Sequence, residues 1–398
     1  MLTSEAPSPR SRRAMEGSQA LAEVVALCRP QVIAAYPITP QTHIVEAIAR
    51  LVAEGRLAAE VVSVESEHSA ASVVLGSAAA GARSFTASSS QGILLMSEVL
   101  YAIAGMRIPL VMICANRALS APISIWNDQQ DSMAVRDAGW IQLYCTDNQE
   151  ALDTIPQAFR IAERLEVPVM VCMDGYVLTH TVEPLELPTA AQVDGFLPPY
   201  AFSRRLDPRR PQSHGTLATP AFYTETRHAL HRALRRGLAE IEAAASDWAA
   251  TTSRPTRGLL EVASDPQAEV GVLTLGSVGG TVEVAARQLP TPLRRIRLRA
   301  FRPFPDEALR AACEGLQELV VLERCLSPGA GGIVGCEVRA ALQGLPAAPR
   351  VHDFAVGLGG RDVPLDLLSR TLETLGQPQP EGFSIFDVKL AQLPAEDR

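Results

Sequence analysis

Short apolar runs alternate with longer mixed stretches along the first half of the chain. Val32–Tyr36, Val61–Val64, Ser84–Ala87, Leu110–Cys114, Ile141–Cys145 and Val167–Met173 have the length and near-continuous hydrophobicity of buried strands. Helical periodicity runs through Gln41–Glu54, His68–Ala80, Ile93–Ala104 and Gln149–Leu165. Strands alternating with helices predict a largely parallel sheet covered on both faces. Over Pro184–Pro220 the pattern breaks among prolines, glycines, serines and charges, which predicts a long connecting segment laid on a surface. Thr224–Ser246 then reads as one helix with an Ala-rich face.

A second unit begins near Glu269. Its expected strands are Val270–Leu275, Arg295–Ala300, Leu319–Leu322 and Val351–Ala355, and its helices Thr281–Leu289, Asp306–Leu316, Ile333–Leu342 and Val363–Leu375. The fold class is therefore α/β, with two αβα domains of unequal size. Residues 1–14, rich in Ser, Pro and Arg, are expected to form a disordered extension. The first domain spans 15–183, the linker and connecting helix 184–265, and the second domain 266–398.

Composition removes several classes of function. A formal net charge of -8 gives no electrostatic footprint for nucleic acid. The seven cysteines form no CxxC pair, which argues for reduced thiols and against an iron–sulfur cluster held by this chain. Ser11-Arg12-Arg13 superficially resembles an export signal, but Glu23 interrupts the next apolar stretch. No apolar run approaches the length of a membrane span. The expected location is the cytoplasm.

In an open parallel sheet, ligands bind beyond the carboxyl ends of the strands, and three such ends here are unusual. Tyr36-Pro37-Ile38-Thr39-Pro40 has two readings: Thr39 as helix N-cap with Pro40 at the first helical position, or a hydroxyl and amides suited to a substrate carboxylate. In Val64-Glu65-Ser66-Glu67-His68-Ser69, Ser66 suits a cap and Glu67 suits the helix dipole. The small residues that follow also allow Glu67 to be buried, where a carboxylate can share a proton with a nitrogen heterocycle. Asn116-Arg117 opens a polar loop through Asp131, and Arg117 is suited either to a ligand carboxylate or to Asp128 or Asp131 within the loop. His68 reads as structural.

Other patterns carry less. Gly276-Ser277-Val278-Gly279-Gly280 does not fit dinucleotide spacing, and a tight turn explains it. Asp174-Gly175 has Met173 where a thiamine diphosphate–magnesium motif needs glycine. No zinc-type spacing, P-loop or nucleophile elbow occurs, so no metal ligand is assigned.

The three strand ends together resemble the alpha subunit of the pyruvate and related 2-oxoacid:ferredoxin oxidoreductases. The resemblance also includes Met15-Glu16-Gly17-Ser18, Thr86-Ala87-Ser88-Ser89-Ser90-Gln91-Gly92, Asn116 to Pro122, Arg136 to Gln142, Phe301-Arg302-Pro303-Phe304-Pro305 and Gly357 to Asp362. All but the first 14 residues are covered, in family order.

The resemblance implies a pyrimidine-type thiamine diphosphate-binding fold followed by a transketolase C-terminal-like domain. Glu67 would be the carboxyl that exchanges a proton with the aminopyrimidine ring, with Pro37 and Gln91 beside the cofactor. Thr39 and Arg117 would hold the substrate carboxylate and carbonyl. It further implies that thiamine diphosphate is shared with a beta subunit. Mg2+ and [4Fe-4S] clusters would lie on partner chains, with gamma and ferredoxin-like delta subunits and coenzyme A completing the system. Pyruvate is the expected substrate and ferredoxin the expected acceptor. Phenylglyoxylate or a branched 2-oxoacid, with NAD reached through a flavin subunit, is the alternative. A non-catalytic scaffold is a third reading, opposed by the intact Thr39, Glu67 and Arg117.

Overall fold

A computed structural model describes residues 12–375, 377 and 382–397. The first eight strands are β1 (Arg13–Glu16), β2 (Val32–Ala35), β3 (Glu60–Ser63), β4 (Ser84–Ser88), β5 (Val111–Asn116), β6 (Ile141–Cys145), β7 (Val169–Asp174) and β8 (Val182–Leu185). The remainder are β9 (Leu260–Ser264), β10 (Val270–Leu275), β11 (Leu293–Leu298), β12 (Ala300–Arg302), β13 (Glu318–Glu323), β14 (Arg350–Ala355) and β15 (Phe383–Ile385).

The larger sheet has seven strands in the order β12-β6-β7-β5-β4-β2-β3, all parallel except β12. β4, β5, β6 and β7 are buried along their whole length. That double-sided burial is why they read as unbroken apolar runs. The second sheet has six strands in the order β15-β14-β13-β10-β11-β9, with β9 antiparallel. Both sheets are thus largely parallel and helix-covered, as expected.

Long-range pairing accounts for most departures from the expected elements. Residues 1–11 of the expected extension lie outside the described residues, but Arg13 and Ala14 begin β1, which pairs with β8. β12 comes from the second half of the chain yet completes the edge of the first sheet against β6. The 184–220 segment wraps this chain's own first domain and contains the helix Ala190–Phe196, started by a capping box of Thr189 and Gln192. Helix Pro220–Thr252 is longer than its periodic core. Helix Gly17–Leu27, which apolar patterning alone did not single out, packs into the main core. The expected helix Ile93–Ala104 is two helices, Ser90–Leu95 and Ser97–Gly105, broken at Met96. Among the described residues no helix is long and apolar enough to cross a membrane.

Candidate active site

The chain moves from β2 to β3 in one direction along the sheet and from β3 to β4 in the other. Right-handed crossovers therefore place the helices Thr42–Ala53 and Glu67–Ala79 on opposite faces, and a crevice opens between the carboxyl ends of β2 and β4. The Thr39 turn leaves β2, Glu67 follows β3, Gln91 follows β4 and Arg117 follows β5. All five expected site residues, Pro37 included, stand on this edge.

Thr39 is not a helix cap. The helix begins at Thr42, after a turn in which Gln41 N donates to Ile38 O at 2.8 Å. Gln41 is fully buried, and its Nε2 donates to Ala87 O of β4 at 3.0 Å. That bond holds the turn over the switch point and delays the helix. Pro37 and Thr39 are left exposed at the crevice mouth.

Glu67 is buried, with 7 % of its surface exposed. Ser66 caps its helix by accepting from Ser69 N at 3.2 Å, so Glu67 is not needed for that task. No hydrogen bond or ion pair to its carboxylate is formed among the described residues. The buried Thr86 and Ser88 hydroxyls on β4 are also without a partner there. Gly92 makes room for this group, since a Cβ there would lie 2.4 Å from Ser88 Oγ and 2.7 Å from Glu67 Oε1. The two buried hydroxyls left unpaired on this wall are costly unless something else satisfies them. His68 is exposed.

The opposite wall is organised by Asp131, which motif reading did not assign to the site. One of its oxygens accepts from Ser90 N at 2.8 Å and Arg117 N at 3.0 Å. The other accepts from Asn116 Nδ2 and Ser132 N, both at 2.8 Å. Burial pushes this carboxyl up to about 6 even with those donors pulling it down. Asp131 therefore sets the backbone at Ser90 and Arg117. Gln91 follows directly, its side chain 2.6 Å from Ser90 Oγ.

With Asp131 engaged by backbone donors, the Arg117 guanidinium pairs with neither Asp131 nor Asp128. Its Nε donates to Ser124 O at 2.9 Å and its Nη1 to Thr39 O at 3.0 Å. Nη2 carries no bond to a described residue. Arg117 and Thr39 are thus in direct contact, with one edge of the planar donor left over. The second domain braces the loop that supplies Ser124. Gly359 N donates to Asp128 Oδ2 at 3.1 Å, and Gln129 N to Arg324 O at 2.8 Å. At Gly360 (φ +80°) a Cβ would sit 2.3 Å from Trp126 Cβ. Asp174 is likewise used to join domains, accepting from Gln129 Nε2 at 3.1 Å and Ser277 N at 2.9 Å, so the Asp174-Gly175 pair is structural.

Comparison with known proteins agrees with this geometry. Residues 23–244 match the family model "Pyruvate flavodoxin/ferredoxin oxidoreductase, thiamine diP-bdg", and residues 268–368 match "Pyruvate:ferredoxin oxidoreductase core domain II". The chain is 42% identical over 378 residues to pyruvate synthase subunit PorA of Methanosarcina barkeri, covering 93% of this chain and 94% of that one. It is 45% identical over 365 residues to the Methanocaldococcus jannaschii subunit of the same name, covering 89% and 92%. Ketoisovalerate oxidoreductase subunit VorA of Pyrococcus abyssi is 40% identical over 358 residues, covering 88% and 90%. In fold, it resembles the 2-oxoglutarate:ferredoxin oxidoreductase of Magnetococcus marinus at a TM-score of 0.70 and 20% identity, covering 94% of this chain and 68% of that one. The chain belongs to the pyruvate flavodoxin/ferredoxin oxidoreductase family, as the 2-oxoacid oxidoreductase alpha subunit that its motifs resemble.

Proposed function

We propose that this chain supplies the proton-handling and substrate-orienting half of a thiamine diphosphate-dependent pyruvate oxidoreductase. The observation that carries the reading is Glu67, buried at the switch point with no partner for its carboxylate among the described residues. The unpaired Ser88 and Thr86 hydroxyls, beside a carboxylate seated against Gly92, suit a flat, polar heterocycle on the same wall. Thiamine diphosphate, when bound, supplies the electron sink for loss of carbon dioxide from a 2-oxoacid. Glu67 holds and exchanges a proton at the ring nitrogen. Pro37 and Gln91 line the approach to that ring. The free edge of Arg117 takes the substrate carboxylate, and Thr39 orients the adjoining carbonyl.

Pyruvate is favoured over a branched acid by identities of 42–45% with pyruvate synthase subunits against 40% with a ketoisovalerate subunit. The diphosphate site with its Mg2+, the [4Fe-4S] clusters and the handling of coenzyme A are assigned to beta, gamma and delta partners. Ile123, Ile125 and Trp126, on the loop that holds Arg117, are exposed apolar side chains, and Ile123 is 81% exposed. Such a rim suits burial under another subunit. Electrons leave to ferredoxin through the partner-borne clusters, and the complex works in the cytoplasm.

Reconstitution with the partner subunits and 2-oxoacid-dependent viologen reduction test the proposal. Glu67→Gln keeps the shape and removes the titrating group, so assembly should persist while kcat falls about 100-fold or more. Near-native turnover would reduce Glu67 to a helix-terminal acid and favour a scaffold. Reduction with 2-oxoisovalerate but not pyruvate would overturn the substrate.

A further inference from the structure

Next to the crevice, three side chains from distant parts of the chain converge. Glu16 ends β1, His43 stands in the first turn of the helix Thr42–Ala53, and His180 lies in the loop between β7 and β8. One donor atom from each can be chosen so that all three lie within 4.8 Å of one another. Glu16 Oε1 is 2.7 Å from His43 Nδ1, and the His43 and His180 ring centroids are 4.5 Å apart. A hydrogen bond between Glu16 and His43 needs no third group, yet His180 is held beside them.

How His180 is held points to a ligand. Its Nδ1 is 2.7 Å from the hydroxyl of Thr179, a fully buried residue. That hydroxyl also accepts from Tyr176 N at 2.8 Å, so its position is fixed by backbone. In the tautomer whose Nδ1–H donates to that hydroxyl, Nε2 is the nitrogen free to donate a lone pair. An outer hydrogen bond that orients an imidazole through its second nitrogen is the usual support of a metal-ligating histidine.

We propose that Glu16, His43 and His180 form a site for one divalent ion of the zinc class. Two imidazoles and one carboxylate suit zinc, cobalt or nickel. Calcium and magnesium prefer shells made mainly of oxygen. The His43 side chain is 47% exposed, so water completes the coordination. The ion ties together β1, the helix that follows the Thr39 turn and the β7–β8 loop. The Tyr176 ring in that loop packs at a tilt against His180, centroids 4.7 Å apart, and against Trp126, centroids 4.8 Å apart. Trp126 belongs to the loop that holds Arg117, so the ion acts as a clamp beside the substrate-facing wall and takes no part in the chemistry.

The full-length chain titrated with zinc sulfate tests this directly. Cys336 is the exposed thiol among the described cysteines, so the titration uses a Cys336→Ser background. Calorimetry should show saturable one-to-one binding that magnesium does not displace. His43→Ala and His180→Ala should each weaken it by about 100-fold or more, and Glu16→Gln by about 10- to 100-fold. Zinc should also slow amide exchange in residues 13–16, 42–46 and 176–181 in the parent and not in the variants. His43→Asn serves as a milder replacement if a variant fails to fold. No saturable binding, or binding that the substitutions leave unchanged, overturns the site. Protection confined to other segments would mark an adventitious ion and overturn it equally.

Discussion

Gly92→Ala tests the seat of the Glu67 carboxylate with a single added methyl group. The new Cβ would lie 2.4 Å from Ser88 Oγ, 2.7 Å from Glu67 Oε1 and 2.8 Å from Glu67 Cγ, whereas contacts become ordinary only from 3.4 Å. The carboxylate oxygen must therefore retreat by about 0.7 Å and the hydroxyl by about 1 Å. Both neighbours are side-chain ends, so the backbone can stay where it is. Overpacking of this kind costs about 1–3 kcal/mol, and replacing glycine inside a helix returns about 0.5–1 kcal/mol. Net destabilisation of roughly 0–2.5 kcal/mol is expected. Turnover should suffer more, because a misplacement near 1 Å costs on the order of 100-fold. Gly76→Ala is the control, since no atom lies within 4 Å of its Cβ position. It should gain about 0.5–1 kcal/mol and leave turnover intact. Urea unfolding of the full chain and pyruvate-dependent dye reduction by the reconstituted complex measure the two effects. If Gly92→Ala stays within about threefold of the parent in turnover, where the misplacement argument expects about 100-fold, Glu67 does not react from the position seen here.

Arg117→Lys keeps the charge but cannot reach Ser124 O and Thr39 O and still present a free planar edge. kcat/KM should fall roughly 10- to 150-fold, mostly through KM, with cofactor content unchanged, as steady-state dye reduction and cofactor assay would show. Burial, and then the neighbouring Glu323, raise the Asp353 carboxyl to about 9. Because the folded-state value lies above the unfolded one, this group's stabilisation is complete below about pH 4 and is lost as pH rises toward about 9. Asp353→Asn should therefore gain stability relative to the parent across that window, measured by thermal unfolding at stepped pH. The purified single chain should show no iron–sulfur absorbance, since its thiols are dispersed and six of the seven are buried. A brown preparation with stoichiometric iron would contradict that.

β4 to β7 were legible to within a residue or two because burial on both faces leaves no polar alternation to confuse the reading. β1, β8 and β12 were not, because each is a short strand whose pairing partner lies far along the chain. The same division runs through the site. Thr39, Glu67 and Arg117 became candidates through turn chemistry at strand ends, a local signal. Asp131 did not, because an aspartate in a polar loop has many uses and only the fold brings it under Ser90 and Arg117. The local alternatives for Arg117 could be separated only by counting donors around that aspartate. Glu16, His43 and His180 have no spacing signature, since each comes from a different element.

The placement of Arg117 also explains what the second domain contributes. Arg117 is steadied by a carbonyl at Ser124, in the middle of a loop with exposed apolar side chains and few contacts of its own to the first sheet. Such a loop would sample many conformations if it were held only at Asn116 and Asp131. The second domain removes that freedom at several points, among them the Gly359 amide on Asp128, the Arg324 carbonyl on Gln129, and Gly360 against Trp126. Gly360 tolerates the close approach because its positive φ and missing Cβ are both required there. Arg324 in turn reaches Asp174 at the end of β7, so the brace is anchored in the first sheet. Loss of such a contact should leave the Arg117 backbone amide on Asp131. What it removes is the direction of the guanidinium, and a bidentate donor depends on direction more than on charge.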